Sequence, residues 1–197
     1  TEEIHLNEAL EHAGVTPSET DLGEYIIQLA HERPSHIIAP AIHKTKGQVA
    51  ELFERELKRP VEADPEELTK IARAELRQKF LQADIGITGA NFAVAETGTV
   101  VLVTNEGNGR MVTSLPRVHV AVMGAEKVVP SMTDLMVFLA ILAKSATGQK
   151  LSVYTTLVRG PRRAGELEGP EEFHLVLLDS GRIAQLGGPL REALSWL

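Results

Sequence analysis

Residues 84–123, DIGITGANFAVAETGTVVLVTNEGNGRMVTSLPRVHVAVM, place polar and glycine-rich punctuation between runs too apolar to lie on a surface. Val100-Val101-Leu102-Val103 and Val118-His119-Val120-Ala121-Val122 are short, β-branched and scarcely alternating. That pattern suits strands covered on both faces, so both runs are candidates for central positions in a sheet. Polar loops at the ends of such strands are where an α/β protein builds a ligand site.

The flanking sequence alternates helical and extended signals. Thr20-Asp21 can cap a helix running to about Glu32, with Leu22, Tyr25, Ile26 and Leu29 on one face and Pro34 beyond its end. A strand is expected at 35–39. Thr45-Lys46-Gly47-Gln48 then matches a capping box before a helix carrying Val49, Leu52, Phe53 and Leu57. Asp64-Pro65-Glu66-Glu67 starts another helix, to about residue 82, with acids suited to the positive end of its dipole. Residues 130–134 open one more, stopped by Gly148. Strands are expected at 152–157 and 173–178, and a short last helix at 189–197. The alternation predicts an α/β fold with a largely parallel sheet flanked by helices. A chain of 197 residues, 43% hydrophobic, suits one domain over residues 1–197.

Two loops carry the chemistry. Ahead of the first apolar run, Glu96, Thr97, Gly98 and Thr99 bring a carboxylate, two hydroxyls and a flexible backbone together, with Asn91 nearby. After it come Asn105, Gly107, Asn108, Gly109 and Arg110, in which Asn108-Gly109 is a turn signal. Glycine lets backbone N–H groups approach an anion, and an arginine can hold a carboxylate or phosphate in a two-pronged contact. These residues are expected to form two walls of a site for a small anionic ligand, lactate or a phosphate- or CoA-like group. Arg159, in a loop after a later strand, can close over the same ligand; the other reading is a tight turn with a solvated arginine at Arg110 and a solvated loop at Arg159. Glu96 is the catalytic candidate, as nucleophile or base; its other reading is a carboxylate that caps backbone amides or binds a ligand hydroxyl.

Other chemistries find little support. The loop lacks the GK[ST] of a phosphate-binding Walker motif, and GxGxxG is absent. His31, His36 and His43 cluster without HExxH or a matching acid spacing, so no metal site is expected. His119, inside an apolar run, reads as a core histidine satisfied by a hydrogen bond. Ser131, Ser180 and the remaining hydroxyls lack a GxSxG context, which argues against a serine hydrolase. The net charge of -7 opposes non-specific nucleic-acid binding. No run approaches a membrane span and no signal peptide opens the sequence, which points to a cytoplasmic protein. Without cysteine, the chain cannot form disulfides or supply thiolates to a metal or an iron-sulfur cluster.

Three stretches, ETDLGEYIIQLA (19–30), SHIIAPAIHKTKGQVAELF (35–53) and residues 83–131, together resemble the LUD domain of LutB-type lactate-utilisation proteins. The resemblance implies the α/β fold shared with sugar-phosphate isomerases and CoA transferases. It also implies a role, with LutA- and LutC-like subunits, in oxidising L-lactate to pyruvate. Four-iron four-sulfur clusters are expected in a C-terminal ferredoxin-like domain absent here, as is a segment before Thr1; the chain reads as a piece of a larger electron-transfer protein. Ala95-Glu96-Thr97-Gly98 further resembles a short glutamate motif of some CoA transferases, leaving acyl transfer through Glu96 as an alternative. A non-catalytic docking module is the third.

Overall fold

Thr45 accepts a hydrogen bond from the Gln48 amide while the Gln48 side chain accepts from the Thr45 amide, and this reciprocal cap opens the helix Lys46–Leu57. The computed structural model describes residues 4–36, 39–185 and 187–188. Within them the chain divides into two compact units, with the boundary between Gln82 and Ala83.

The described part of the first unit is helical: α1 (Leu6–His12), α2 (Leu22–Ala30), α3 (Lys46–Leu57) and α4 (Pro65–Gln82). Asp21 caps α2 by accepting from the amides of Gly23 and Glu24. Tyr25 and Ile26 of α2, Val49, Leu52 and Phe53 of α3, and Leu68, Ile71 and Leu76 of α4 make one core. The Tyr25 and Phe53 rings lie 6.4 Å apart, and Lys79 Nζ sits 4.9 Å from the Tyr25 centroid. Burial, with Glu56 and Glu75 nearby, pushes the Tyr25 phenol up to about 12.

The strand expected at 35–39 is not found where the chain is described. Ser35, His36 and Ala39 form a loop, and Ile37 and Ile38 lie outside the described residues. Prolines at 34 and 40 remove two ladder donors, and local bonds replace the ladder: the Ser35 amide donates to Pro40 O, and the Ala39 amide to His36 Nδ1.

The second unit is α/β, as expected. β1 (Ile85–Gly89), β4 (Val118–Gly124) and β7 (Glu172–Leu178) form a parallel sheet in the order β1-β4-β7. A second, mixed sheet has the order β5-β2-β3-β6, from β2 (Phe92–Val94), β3 (Thr99–Thr104), β5 (Val128–Val129) and β6 (Tyr154–Val158). Both long apolar runs are central as their composition requires, β4 between β1 and β7 and β3 between β2 and β6. They lie in different sheets. The short helix α5 (Asn108–Ser114) runs beside β1, and α6 (Met132–Thr147) packs on β2 and β5.

Two apolar layers hold this unit. Ala93, Val100 and Leu102 pack against Ala121 and Met123 of β4, with Phe173 of β7 alongside. On the other face, Val94, Val101 and Val129 pack against Leu135 of α6. Ser131 and Asp134 form a capping box for α6, and Gly148 ends it at φ 72°. Ser131→Ala is expected to destabilise the protein by about 1 kcal/mol, read as a lower urea midpoint with an unchanged slope. A further α-helical turn, α7 (Arg182–Gln185), follows β7, and Arg182 pairs with Glu126 at 2.7 Å. The helix expected at 189–197 lies outside the described residues.

Candidate functional site

The β2–β3 connection is a four-residue turn, Ala95-Glu96-Thr97-Gly98, closing the pair Val94↔Thr99. Gly98 has φ 66°, where a side chain would be strained. Thr97 and Thr99 hydroxyls lie 2.7 Å apart, and Thr99 is buried. The Glu96 amide donates to Pro130 O at 3.1 Å, and Glu96 Oε2 accepts from the Met132 amide at 3.3 Å. Met132 is the first residue of α6, so the carboxylate satisfies a free amide at the positive end of that helix. Glu96 is exposed.

At the opposite end of β3 stand the residues of the second wall. Asn105 Oδ1 accepts from the Val153 amide, and its Nδ2 donates to Gln149 Oε1 at 3.0 Å, tying the strand end to the approach to β6. Asn108 and Gly109 form no hairpin turn. They open α5, with Gly107 at its N-cap and Thr104 Cγ2 only 3.0 Å from where a Gly109 Cβ would stand. Arg110 lies in the first turn, exposed, and among the described residues its guanidinium has no hydrogen bond or ion pair.

The two walls are therefore not one pocket. Six extended residues separate them, about 17 Å at the usual rise of a strand. Asn91, read with Glu96 from the sequence, belongs at the other end: its amide donates to Val101 O and its Oδ1 accepts from the Val103 amide at 2.8 Å. Arg159 moves the opposite way. Pairing of Val100 with Val158 brings it beside Thr99, at the Glu96 turn and away from Arg110. Its neighbour Arg162 is committed to Glu171 at 2.6 Å.

His119 is fully buried in β4, with Nε2 2.9 Å from Thr88 Oγ1 and its ring 5.2 Å from Phe173. The hydrogen bond matches the core role expected of it. Nδ1 has no partner among the described residues, and burial pushes the imidazole down to about 4, so it is neutral at physiological pH.

The sequence reading missed the use made of Ser35, His43 and Glu32. His43 Nδ1 lies 2.8 Å from Ser35 Oγ and Nε2 2.9 Å from Glu32 Oε2, while Lys44 pairs with the second Glu32 oxygen. Lys44 and then His43 hold the Glu32 carboxyl below its usual range. The clustered histidines are the sequence signal at this place, and their spacing names neither the hydroxyl nor the carboxylate partner. Among the described residues no group of three or more His, Asp or Glu side chains could hold a metal ion. With no cysteine in the chain, its donors do not fit an iron-sulfur cluster.

A family model described as the LUD domain matches residues 2–178. The chain belongs to the LUD domain family. This LUD domain is 54% identical over 195 residues to Lactate utilization protein B of Bacillus subtilis strain 168, 53% to that of Bacillus velezensis and 51% to that of Geobacillus kaustophilus. In each case the match takes in 98% of this chain and 41% of the relative, so the chain spans about two fifths of those proteins. A crystal structure of a DUF162 family protein from Deinococcus radiodurans superposes with a TM-score of 0.39 at 22% identity, over 52% of this LUD domain and 57% of that chain. Among the described residues no helix is long and apolar enough to cross a membrane.

Proposed function

We propose that the chain is the LUD portion of a LutB-like component of a cytoplasmic lactate-utilisation system that oxidises L-lactate to pyruvate. Identity of 51–54% along 195 residues to proteins named for that role supports this reading. Oxidation of lactate releases two electrons and two protons. Clusters ligated by cysteine would have to accept the electrons from outside these residues, since the chain supplies no thiolate. The part left to this domain is recognition of an anion, and contact with LutA- and LutC-like subunits.

The observation that carries the binding role is Arg110. α5 follows β3 and packs along β1, with Val112 against Gly86 near the start of that strand. The first turn of α5 thus lies toward the carboxyl end of β1, the end at which open α/β sheets bind ligands. An exposed guanidinium there is available for a two-pronged contact with a carboxylate or phosphate. Contact with subunits is supported by α6, whose residues Met136, Val137 and Ile141 are each more than half exposed.

Two measurements test the parts separately. Replacing the matching region of Lactate utilization protein B in Bacillus subtilis by this chain is expected to restore growth on L-lactate; a chimera that accumulates without supporting growth overturns the assignment. Calorimetric titration with L-lactate, pyruvate and inorganic phosphate is expected to find one anion whose binding Arg110→Ala weakens by about 1.5–3 kcal/mol. Titrations identical in both proteins remove Arg110 from the site.

A further inference from the structure

Outside the loops already described, the first unit holds a second constellation with chemical consequences. Ser35, His43 and Glu32 form a continuous hydrogen-bonded relay, 2.8 Å from hydroxyl to Nδ1 and 2.9 Å from Nε2 to carboxylate. Such an arrangement is recognised by geometry and roles rather than by sequence order, so the absence of GxSxG, which argued against a serine hydrolase from the sequence, excludes the nucleophile-elbow form alone. The roles are self-consistent. A carboxylate facing Nε2 fixes the proton on that nitrogen, which leaves Nδ1 of the neutral ring to accept from the serine hydroxyl. Lys44, whose side chain is only 12% exposed, anchors the other carboxylate oxygen and so orients Glu32. Ser35 itself is exposed, within reach of a substrate.

We propose that Ser35 is a nucleophile activated by His43 and Glu32, taking the acyl group of an activated ester or thioester. In the step, Ser35 Oγ bonds to the acyl carbon and the bond to the leaving alcohol or thiol breaks. The hydroxyl proton passes to His43 Nδ1 and then to the leaving group. Water, deprotonated by the same imidazole, releases the carboxylic acid and restores Ser35. Glu32 stays ionised throughout and stabilises the imidazolium. Pro40 O, 3.1 Å from Ser35 Oγ, competes for the hydroxyl proton, and a hydroxyl held there would make the cluster a loop clamp with no reactivity.

The experiment separates these two. The chain is treated with a fluorophosphonate probe and, separately, with p-nitrophenyl acetate, and the modified residue is located by peptide mass spectrometry. Expected is labelling at Ser35, lost in Ser35→Ala and slowed about 100-fold or more in His43→Ala, the usual scale of general-base assistance. Glu32→Gln, which keeps a hydrogen-bond acceptor but not the charge, is expected to slow it as well. Circular dichroism melts of each variant show that the fold is retained. Ser35 left unmodified in the folded wild-type chain overturns the proposal, as does labelling of Ser35 that survives His43→Ala undiminished.

Discussion

Lowering the pH from 7 to 5 is expected to take about 2 kcal/mol off the stability of the protein through His119 alone. The imidazole is depressed to about 4 in the folded chain by burial, against 6.5 when exposed. A group lowered by folding contributes stability that is present above 6.5. As pH falls below that value the unfolded chain takes up a proton that the folded chain refuses, and the loss continues until about 4, where both are protonated. The full effect is about 3 kcal/mol. Glu32, Glu126 and Glu172, also depressed, lose their contributions only below their ordinary value of 4.5. Urea titrations at pH 7, 6 and 5 check the slope, and His119→Leu is expected to flatten it. A wild-type midpoint that does not move between pH 7 and 5 would show that the folded chain accommodates the imidazolium.

The second large effect is expected from Gly86→Ala. A Cβ at that position would lie 2.2 Å from the carbonyl oxygen of Val112, 3.0 Å from Val112 Cγ1 and 3.1 Å from Pro116 Cγ. The closest atom is backbone within α5, so no rotamer change relieves the contact. Either α5 shifts off β1 or β1 shifts away from β4. A cost of about 3 kcal/mol is expected, at the upper end of the range for overpacking, with a fall in Tm of about 6–12 °C for a chain of this size. Gly107→Ala serves as the control: φ is -79° and nothing lies within 4 Å of the added carbon, so stability is expected to stay within about 0.5 kcal/mol. Because α5 carries Arg110, a displaced helix is also expected to weaken the anion titration. Equal stability of the two variants would refute the close packing of α5 on β1.

Local signals account for what the sequence revealed of the fold. The Thr45/Gln48 and Ser131/Asp134 boxes, Asp21 and Gly148 mark helix ends through bonds spanning at most four residues, and each end is where it was expected. Strand identity was legible too, but sheet membership was not. Val100–Val103 and Val118–Val122 look alike because composition reports burial, whereas pairing depends on partners far along the chain. Short β2 and β5 give no periodicity to read. The site suffered for the same reason. Asn91 and Glu96 are near neighbours in sequence and read as one wall, yet extended β2 lies between them and carries Asn91 to the far end of β3. His43 was visible, but its partners Ser35 and Glu32 come together only through a loop.

The parallel sheet also sets an order of events. β2 and β3 meet through a four-residue turn, while β4 must find β1 across the whole β2–β3–α5 excursion and β7 across the β5–α6–β6 one. Closing long loops is entropically costly and slow, so the hairpin is a candidate folding nucleus and β7 is the last strand to join. During synthesis β4, with Val120, Ala121 and Val122, waits as an open edge until residue 178 leaves the ribosome. That interval is when a chaperone, or misassociation with another nascent chain, has its opportunity.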